Sequence, residues 1–369
     1  MYAIIVSPKG QTNKRQEHFM STLFDPITIG DLQLPNRIIM APLTRARAIG
    51  EGRVPNELMA RYYTQRATAG LILSEATAVT PQGVGYADTP GIWSDEQVEG
   101  WKLVTDAVHK AGGLIFLQLW HVGRISDPEF LNGELPVAPS AIAAKGHVSI
   151  LRPMRDYVVP RALETSEIPG IVAAYRKGAE NAKLAGFDGV EVHGANGYLL
   201  DQFLQDGTNH RTDNYGGPNE NNASPKREVT DACIEVWGKD RVGMHLAPRR
   251  DSHDMGDSDP KATFGYVARE LGKRGIAFIC AREGLGDDRL GPYLKQEFGG
   301  VYIANEALTR ESAEAVVQAG EADAVAFGKW FIANPDLPQR LKTGAPLNPA
   351  RADKFYHPTA EGYTDYPAL

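Results

Sequence analysis

Eight short apolar runs follow one another from residue 34 onward, and longer amphipathic stretches separate them. Apolar runs of this length are typical of parallel strands that are buried on both faces. Eight alternations of strand and helix predict an α/β chain folded as a single (β/α)8 TIM barrel, because a doubly wound sheet usually has fewer strands. The predicted strands comprise residues 37–41, 71–76, 114–119, 189–193, 242–246, 277–281, 301–304 and 324–327.

The stretches between these runs have the pattern of helices. Ser94 is a predicted N-cap, and Gly112 with Gly113 ends the same helix. Residues 120–167 are too long for a simple loop after the third strand, so a functional excursion over the barrel top is expected there. The predicted helices comprise residues 56–69, 94–111, 168–185, 229–237, 262–274, 293–298, 310–319 and 336–341.

Composition and charge narrow the range of partners. Hydrophobic residues make up 42% of the chain, and the formal net charge is −7 with both signs interspersed. This pattern argues against nucleic acid and membrane surfaces as partners, and the apolar runs are too short to span a bilayer. The two cysteines, Cys233 and Cys280, cannot form a disulfide framework or an iron–sulfur site. We therefore expect a cytoplasmic protein without a metal site.

Residues 1–19 differ from the rest of the chain. Their apolar patch is too short for the core of a signal peptide, and basic residues follow it rather than precede it. Met20 opens a segment that resembles a fresh N-terminus. The prediction is a barrel domain over residues 20–369, preceded by a leader that is non-native or disordered; a short interaction tail is the alternative.

The end of the fourth predicted strand, residues 192–198, carries the clearest chemistry. Reacting groups of a TIM barrel lie at the carboxyl ends of its strands. His193 and Asn196 can each donate a hydrogen bond to one developing oxyanion, and the phenol of Tyr198 can deliver a proton to the neighbouring carbon. The alternative is a polar turn at the rim, in which Tyr198 packs as an ordinary aromatic side chain.

Ordered segments around this motif match a known pattern. Residues 193–204 read HGANGYLLDQFL, residues 209–217 read NHRTDNYGG, residues 40–45 read MAPLTR and residues 362–367 read GYTDYP. These segments resemble the Old Yellow Enzyme family. The resemblance extends from residue 20 to residue 369. Within that family it is most similar to bacterial xenobiotic reductases and N-ethylmaleimide reductases, which carry FMN.

The resemblance implies an FMN site built from several strand ends. The Thr44 hydroxyl would face the N5/O4 edge of the flavin, Ala76 would let the ring approach, and Gln118 would pair with the pyrimidine edge. Loops after the seventh and eighth strands would bind the phosphate through backbone N–H groups. The implied cofactor residues are Pro42, Leu43, Thr44, Ala76, Gln118, His245, Ala304, Asn305, Phe327, Gly328 and Lys329.

Two of these cofactor positions depart from the family pattern. His245 stands where the family usually has an arginine beside flavin N1/O2, and an imidazole stabilises negative charge strongly only when it is protonated. Lys329 replaces the arginine of many relatives, so a point charge replaces a bidentate fork.

Residues 218–228 also depart from the family, which has apolar side chains near Pro225, Lys226 and Arg227. Each missing buried side chain would remove about 1.5–3 kcal/mol. The stretch is either a reworked helix, with Ser224 as N-cap and Pro225 at the first helical position, or a sequence irregularity.

The resemblance also implies the reaction. NADPH or NADH would reduce FMN, and an electron-poor alkene (an enone, maleimide or nitroalkene) would then take a hydride, with nitrate esters and nitroaromatics as a further substrate class. Tyr86, Trp120 and Tyr356 correspond to family positions at or near the ligand, where aromatic walls suit a planar substrate. The alternative is a flavin-binding barrel without turnover. A monomer and a homodimer are both compatible with the sequence.

Overall fold

Eight parallel strands close into a barrel in the computed structural model, which describes residues 22–149, 151–249 and 252–369. The predicted TIM barrel is confirmed. The predicted leader, residues 1–19, lies outside the described residues. The barrel strands are β1 (Ile38–Met40), β2 (Leu71–Leu73), β3 (Ile115–Trp120), β4 (Gly189–His193), β5 (Val242–Leu246), β6 (Phe278–Arg282), β7 (Val301–Asn305) and β8 (Ala324–Phe327).

Each barrel strand pairs in parallel with the next one along the chain, and β8 pairs with β1 to close the ring. At the closing pair, Phe327 lies opposite Met40. The second strand is shorter than predicted and ends at Leu73, and a separate two-residue strand, Thr77–Ala78, pairs with β3. Because the ring is closed and parallel, all eight carboxyl ends of the described strands meet at one rim.

Helices pack on the outside of the ring. The helix after β2 begins with the predicted cap, since Ser94 and Gln97 form a reciprocal capping box. In the described residues, no helix has the length and apolar character needed to cross a bilayer. The helices are α1 (Glu57–Thr64), α2 (Asp95–Lys110), α3 (Ile168–Leu184), α4 (Leu199–Leu204), α5 (Asn219–Asn222), α6 (Ser224–Trp237), α7 (Pro260–Arg274), α8 (Gly291–Phe298), α9 (Arg310–Gln318), α10 (Lys329–Ala333) and α11 (Leu337–Thr343).

The unusual stretch after residue 217 is helical, as the first of the two interpretations expected. The predicted cap at Ser224 is wrong by one position, because Ala223 is the N-cap and the Ser224 hydroxyl donates to the carbonyl of Glu220 at 3.0 Å. Pro225 lies in the first turn, where backbone N–H groups have no acceptor within the helix, so a proline costs no helical hydrogen bond. Lys226 is buried despite its charge.

The barrel interior is filled by side chains of alternate strand residues. Ile39, Phe116, Phe278 and Ile303 belong to one interior cluster, whereas Ile38 and Met40 face the helices. Glycines make room for the two rings, since Gly189 pairs with Phe116 and Gly243 pairs with Phe278. A Cβ added to Gly243 would lie 2.2 Å from the Cζ atom of Phe278. These close approaches require glycine at both positions.

The predicted excursion after β3 is confirmed, and it covers one side of the rim. Val148, Leu151 and Tyr157 from the excursion pack in one apolar cluster with Tyr86 and Trp120. Aromatic side chains at the carboxyl ends of the strands are thereby shielded from water.

The C-terminal segment packs against the loop after β1 at the same rim. The guanidinium of Arg45 donates to the carbonyls of Phe355 at 3.2 Å and Gly362 at 2.8 Å, and that of Arg47 donates to the carbonyl of Lys354 at 2.9 Å. Both arginines are buried, so these bonds replace their lost hydration. They hold the segment that carries Tyr356.

We predict that Gly243→Ala lowers the free energy of unfolding by about 1–3 kcal/mol in urea titrations, because the new methyl group overlaps the Phe278 ring. Gly243→Ala combined with Phe278→Leu should cost less than the sum of the two single changes. Gly170→Ala is the matched control, since a Cβ there meets nothing within 4 Å. Strict additivity in the double variant would contradict this packing.

Candidate active site

A cavity of about 480 Å³ opens at the carboxyl-terminal rim of the barrel. Its volume falls within the range of small-molecule and cofactor pockets, and this rim is where TIM barrels carry their chemistry. Side chains from strand ends around the ring line it. Of the residues predicted from the sequence, those that line the cavity are Pro42, Leu43, Thr44, Gln118, His193, Asn196, His245, Asn305, Phe327, Gly328, Lys329 and Tyr356.

The remaining predicted residues lie beside the cavity or behind it. Ala76, Tyr86 and Trp120 form one apolar cluster, and Tyr198 packs against that cluster. The side chain of Ala304 lies instead on the outer face of β7, where it lines a small separate pocket. Neighbouring residues of a strand point to opposite faces, so the structure brings Asn305 to the cavity and not the side chain of Ala304.

The loop after β4 turns sharply enough to aim two side chains at one point. Asn196 and Gly197 both have left-handed backbone conformations, with φ of 58° and 77°. The backbone N–H of Gly197 donates to Oδ2 of Asp201 at 2.9 Å, which ties the loop to α4. As a result His193 and Asn196 both line the cavity.

His193 acts in this arrangement as a neutral hydrogen-bond donor. Its Nδ1 atom accepts a hydrogen bond from the backbone N–H of Ala195 at 3.3 Å, so the proton of the neutral ring lies on Nε2. Burial, reinforced by the nearby His245, lowers the pKa of His193 well below its ordinary value. At neutral pH the ring therefore offers one N–H and no charge.

The carboxamide of Asn196 is oriented by an arginine. Nη1 of Arg282 donates to Oδ1 of Asn196 at 3.2 Å, which leaves the Nδ2 group of Asn196 as the free donor. The guanidinium is itself held by Glu306, whose Oε2 atom accepts from Nε at 2.5 Å. Arg282 and Glu306 also line the cavity.

Tyr198 lies against the side of His193. Its ring packs edge-on at centroid distances of 5.0 Å from His193 and 5.0 Å from Trp120, and its hydroxyl is 2.9 Å from that of Tyr86. Burial raises the pKa of Tyr198 above the ordinary value of a phenol. The phenol therefore keeps its proton until a strongly basic atom forms beside it.

A buried carboxylate organises the floor of the cavity. Oε2 of Glu191 accepts from Nε2 of Gln118 at 2.7 Å, and Oε1 of Glu191 lies 3.1 Å from Nδ1 of His245. These contacts occupy Nε2 of Gln118 and Nδ1 of His245. They leave Oε1 of Gln118 and Nε2 of His245 to face the cavity that these two residues line.

The opposite end of the cavity offers backbone N–H groups and a cation. Nδ2 of Asn305 donates to the carbonyl of Ala326 at 2.8 Å, which fixes β7 against β8. Gly328 is the N-cap of α10, and the exposed Lys329 is its first residue. This combination suits an anionic group.

Lys226 supports the β4 loop from below. Its Nζ atom donates to the carbonyl of Gly194 at 2.9 Å, and its side chain is 1% exposed. Burial lowers the pKa of Lys226 to about 8, although the charge of Asp201 opposes this effect. Lys226 and Asp201 thus hold the loop after β4 at two backbone atoms, the carbonyl of Gly194 and the N–H of Gly197.

Some site residues were not predicted from the sequence, and only a few of them had a sequence signal that could have identified them. Arg282 ends β6, and a charged residue at the end of an otherwise apolar strand would have identified it. Glu191 lies inside an apolar strand, where a carboxylate needs partners, and this pattern was also available. No local pattern marks the other additional lining residues, which include Glu306, Ala307, Leu308, Trp330, Ile332 and Phe355.

The chain is similar to known proteins over nearly its whole length. Residues 22–348 match the model of the NADH:flavin oxidoreductase / NADH oxidase family. Among curated proteins, 12-oxophytodienoate reductase 1 of Oryza sativa subsp. japonica is 44% identical over 361 residues, which cover 94% of this chain and 93% of the relative. 12-Oxophytodienoate reductase 2 of Arabidopsis thaliana is 42% identical over 365 residues, covering 94% and 96%.

Two solved structures are similar in fold as well as in sequence. The old yellow enzyme homologue from Zymomonas mobilis has a TM-score of 0.92 and 46% identity, covering 95% of this chain and 100% of that chain. Morphinone reductase in complex with tetrahydroNAD has a TM-score of 0.91 and 48% identity, covering 95% and 98%.

The buried lysine predicts a pH dependence of stability. The folded pKa of Lys226 is about 8 and its ordinary value is 10.5, so between these values the unfolded chain binds more protons and stability rises with pH. We expect Lys226 to contribute a rise of about 2 kcal/mol to the free energy of unfolding from about pH 8 to about pH 10. This contribution is the difference between the wild type and Lys226→Met, because the buried thiols of Cys233 and Cys280, whose pKa values burial raises, lower the stability of both proteins in the same range. The titrations end at about pH 10, because the tyrosines of the unfolded chain begin to ionise there and would add their own pH dependence.

Lys226→Met should lack this contribution, so its free energy of unfolding relative to the wild type should change by about 2 kcal/mol over this range. Lys110→Met, at an exposed lysine of α2, should stay parallel to the wild type. Urea titrations at several pH values measure both. Parallel curves for the wild type and Lys226→Met would contradict the assignment.

Proposed function

The chain belongs to the NADH:flavin oxidoreductase / NADH oxidase family, and from this premise we propose that it reduces electron-poor alkenes in the cavity, with His193 and Asn196 binding the substrate oxygen and Tyr198 donating the proton. As a member of this family it is an FMN-dependent NAD(P)H oxidoreductase of the Old Yellow Enzyme type that reduces activated C=C bonds. A flavin-binding barrel without turnover is not supported, because the similar proteins are reductases.

The observation that carries the proposal is the convergence of two uncharged donors beside a phenol. Nε2 of His193 and Nδ2 of Asn196 are each left free by a second hydrogen bond that occupies the other polar atom of the side chain. Two such donors bind a carbonyl or nitro oxygen and stabilise the negative charge that develops on it. The position of Tyr198 beside His193 supports its assignment as the donor of a proton to the carbon next to the activated bond.

The chemistry of the cavity walls fits FMN. A flavin carries alternating N–H and C=O groups on its pyrimidine edge, and Gln118 and His245 present an acceptor and a ring nitrogen to the cavity. Thr44 adds a hydroxyl, and Gly328 with Lys329 suits the terminal phosphate. The chemistry that FMN supplies when bound is hydride transfer from NADH or NADPH to an alkene carbon.

The same geometry supports the proposed substrate classes. Enones, maleimides and nitroalkenes each place an oxygen acceptor next to a C=C bond, which the His193 and Asn196 pair can bind. Nitrate esters and nitroaromatics offer the same kind of oxygen. The carboxamide of the nicotinamide ring also carries a carbonyl, so we propose that the hydride donor and the alkene use one site in turn.

Rapid-mixing experiments that follow flavin absorbance measure the two half-reactions separately, so they should distinguish the roles of His193, Asn196 and Tyr198. We predict that His193→Ala and Asn196→Ala each slow flavin reoxidation by cyclohexenone by about 10²–10³-fold, because each removes an oxyanion donor. Both should also slow reduction by NADPH or NADH. Tyr198→Phe should leave that reduction near wild type and slow cyclohexenone reduction by about 10²–10⁴-fold.

Two comparisons control this experiment. His109→Ala removes an imidazole from the surface of α2 and should change neither half-reaction. Nitroalkenes form a nitronate that is stable without protonation at carbon, so Tyr198→Phe should affect them least. Equal slowing of both half-reactions by Tyr198→Phe would show that the roles are assigned wrongly.

A further inference from the structure

We propose that His253 supplies protons to Tyr198 through Tyr86, so that the alkene receives its proton along a relay that begins at solvent. This inference rests on the proposed function, because it concerns the proton that Tyr198 donates. His253 lies in the segment after β5, outside the cavity lining and outside the residues predicted from the sequence.

Hydrogen bonds connect the three side chains in a line. The Tyr86 hydroxyl lies 2.9 Å from the Tyr198 hydroxyl and 3.4 Å from Nε2 of His253. Tyr86 is buried, with 7% of its surface exposed, whereas His253 is partly exposed. A substrate bound by His193 would cover the cavity side of Tyr198. Among the described residues, His253 and Tyr86 then offer a hydrogen-bonded route to the Tyr198 hydroxyl.

The orientation of the imidazole suits this role. Nδ1 of His253 lies 2.7 Å from the carbonyl oxygen of Asn196, which can only accept, so Nδ1 carries a proton in either charge state. The variable proton is therefore on Nε2, the atom that faces Tyr86. In the protonated ring Nε2–H donates to Tyr86, Tyr86 donates to Tyr198, and the Tyr198 proton is left for the substrate.

Hydrogen bonds from Arg124 to backbone carbonyls hold the segment that carries His253 in place. His253 and Asp254 both have φ of 61°, and Nη2 of Arg124 donates to both of their carbonyls at 3.0 Å. Left-handed backbone at two consecutive non-glycine residues persists only where surrounding contacts determine it. The imidazole is thus fixed beside the tyrosines.

Burial and neighbouring charges together make the extra proton of His253 easy to lose. Burial is the main effect that lowers the pKa of His253, and Arg124 and Arg282 lower it further, whereas the bond to Asn196 raises it. The protonated ring is therefore an acid that is stronger than an ordinary imidazolium. The titratable and charged groups that face it are Tyr86, Tyr198, Tyr157, Arg124, Arg282 and Asp254, the last paired with Lys145.

Each transfer in the relay is balanced. As the Tyr198 O–H bond breaks and a C–H bond forms on the substrate, the Tyr86 proton moves to Tyr198 and the Nε2 proton of His253 moves to Tyr86. An acid in solvent then protonates His253, so one solvent proton is consumed per alkene and no electrons pass along the relay. Burial makes an isolated Tyr198 phenolate costly, so delivery during the step lowers the barrier.

His253→Asn is the sharpest test. Asparagine tolerates a left-handed backbone and can donate to the Asn196 carbonyl, so the loop is retained, but it cannot carry the variable proton. Because the pKa of His253 is lowered, the wild type gains the protonated ring only below the pH range of an ordinary imidazole, and its reoxidation by cyclohexenone should accelerate as the pH falls through that acid range. His253→Asn should lack this acceleration and be about tenfold slower near pH 5.

Further measurements separate a relay from a structural role. His253→Ala should be slowed in the same way and rescued by added imidazole, and Tyr86→Phe should lose the pH dependence while His253 is intact. Reduction by NADPH or NADH and reoxidation by a nitroalkene should stay near wild type in His253→Asn, and His109→Asn should match the wild type throughout.

Two results would overturn the relay: an unchanged pH profile in His253→Asn, or equal slowing of every half-reaction without rescue by imidazole. Failure of the proposed function has a different signature, since the wild-type flavin would then be reduced by the nicotinamide and not reoxidised by cyclohexenone.

Discussion

Closure of the strand ring is the constraint on which the rest of the molecule depends. Once β8 pairs with β1, every described barrel strand has two partners and no free edge. The eight carboxyl ends then share one rim, although the residues that line the cavity are spread from Ala41 to Tyr356 along the chain. The glycines opposite Phe116 and Phe278 belong to the same constraint, because the rings fill the interior only if the neighbouring strands approach closely.

Buried charges connect this scaffold to the site. Glu191 uses both carboxylate oxygens to orient Gln118 and His245, so one side chain determines which atoms the cavity floor presents. Lys226 and Asp201 act in a similar way on the loop after β4, through the backbone of Gly194 and Gly197. A buried charge is costly unless it is paired and hydrogen-bonded, so each holds its partners in one arrangement.

Burial also sets the protonation states that the chemistry needs. It lowers the pKa of His193 and raises that of Tyr198, which yields an uncharged donor and a protonated acid in neighbouring positions. A neutral His193 donates from Nε2 without placing a second charge in the buried site, whereas an ionised Tyr198 would have no proton to give. In the proposed reaction, the low polarity around both rings would therefore favour substrate binding by His193 and proton donation by Tyr198.

By itself the sequence determined the barrel, the excursion after the third strand and the polar triad at the end of the fourth. Apolar periodicity and strand-end position are local properties of the chain, so His193 and Asn196 were predictable from it, whereas Gln118 was implied by the family resemblance. The tertiary structure decided which side chains reach the cavity and which of them contact one another. Ala304 and Asn305 are adjacent in sequence but point to opposite sides of β7, and only Asn305 reaches the cavity. Arg282 orients Asn196, and Tyr86 links His253 to Tyr198, across separations that no local pattern records. Such contacts depend on the twist and register of the closed ring, and these are set by all eight strands at once.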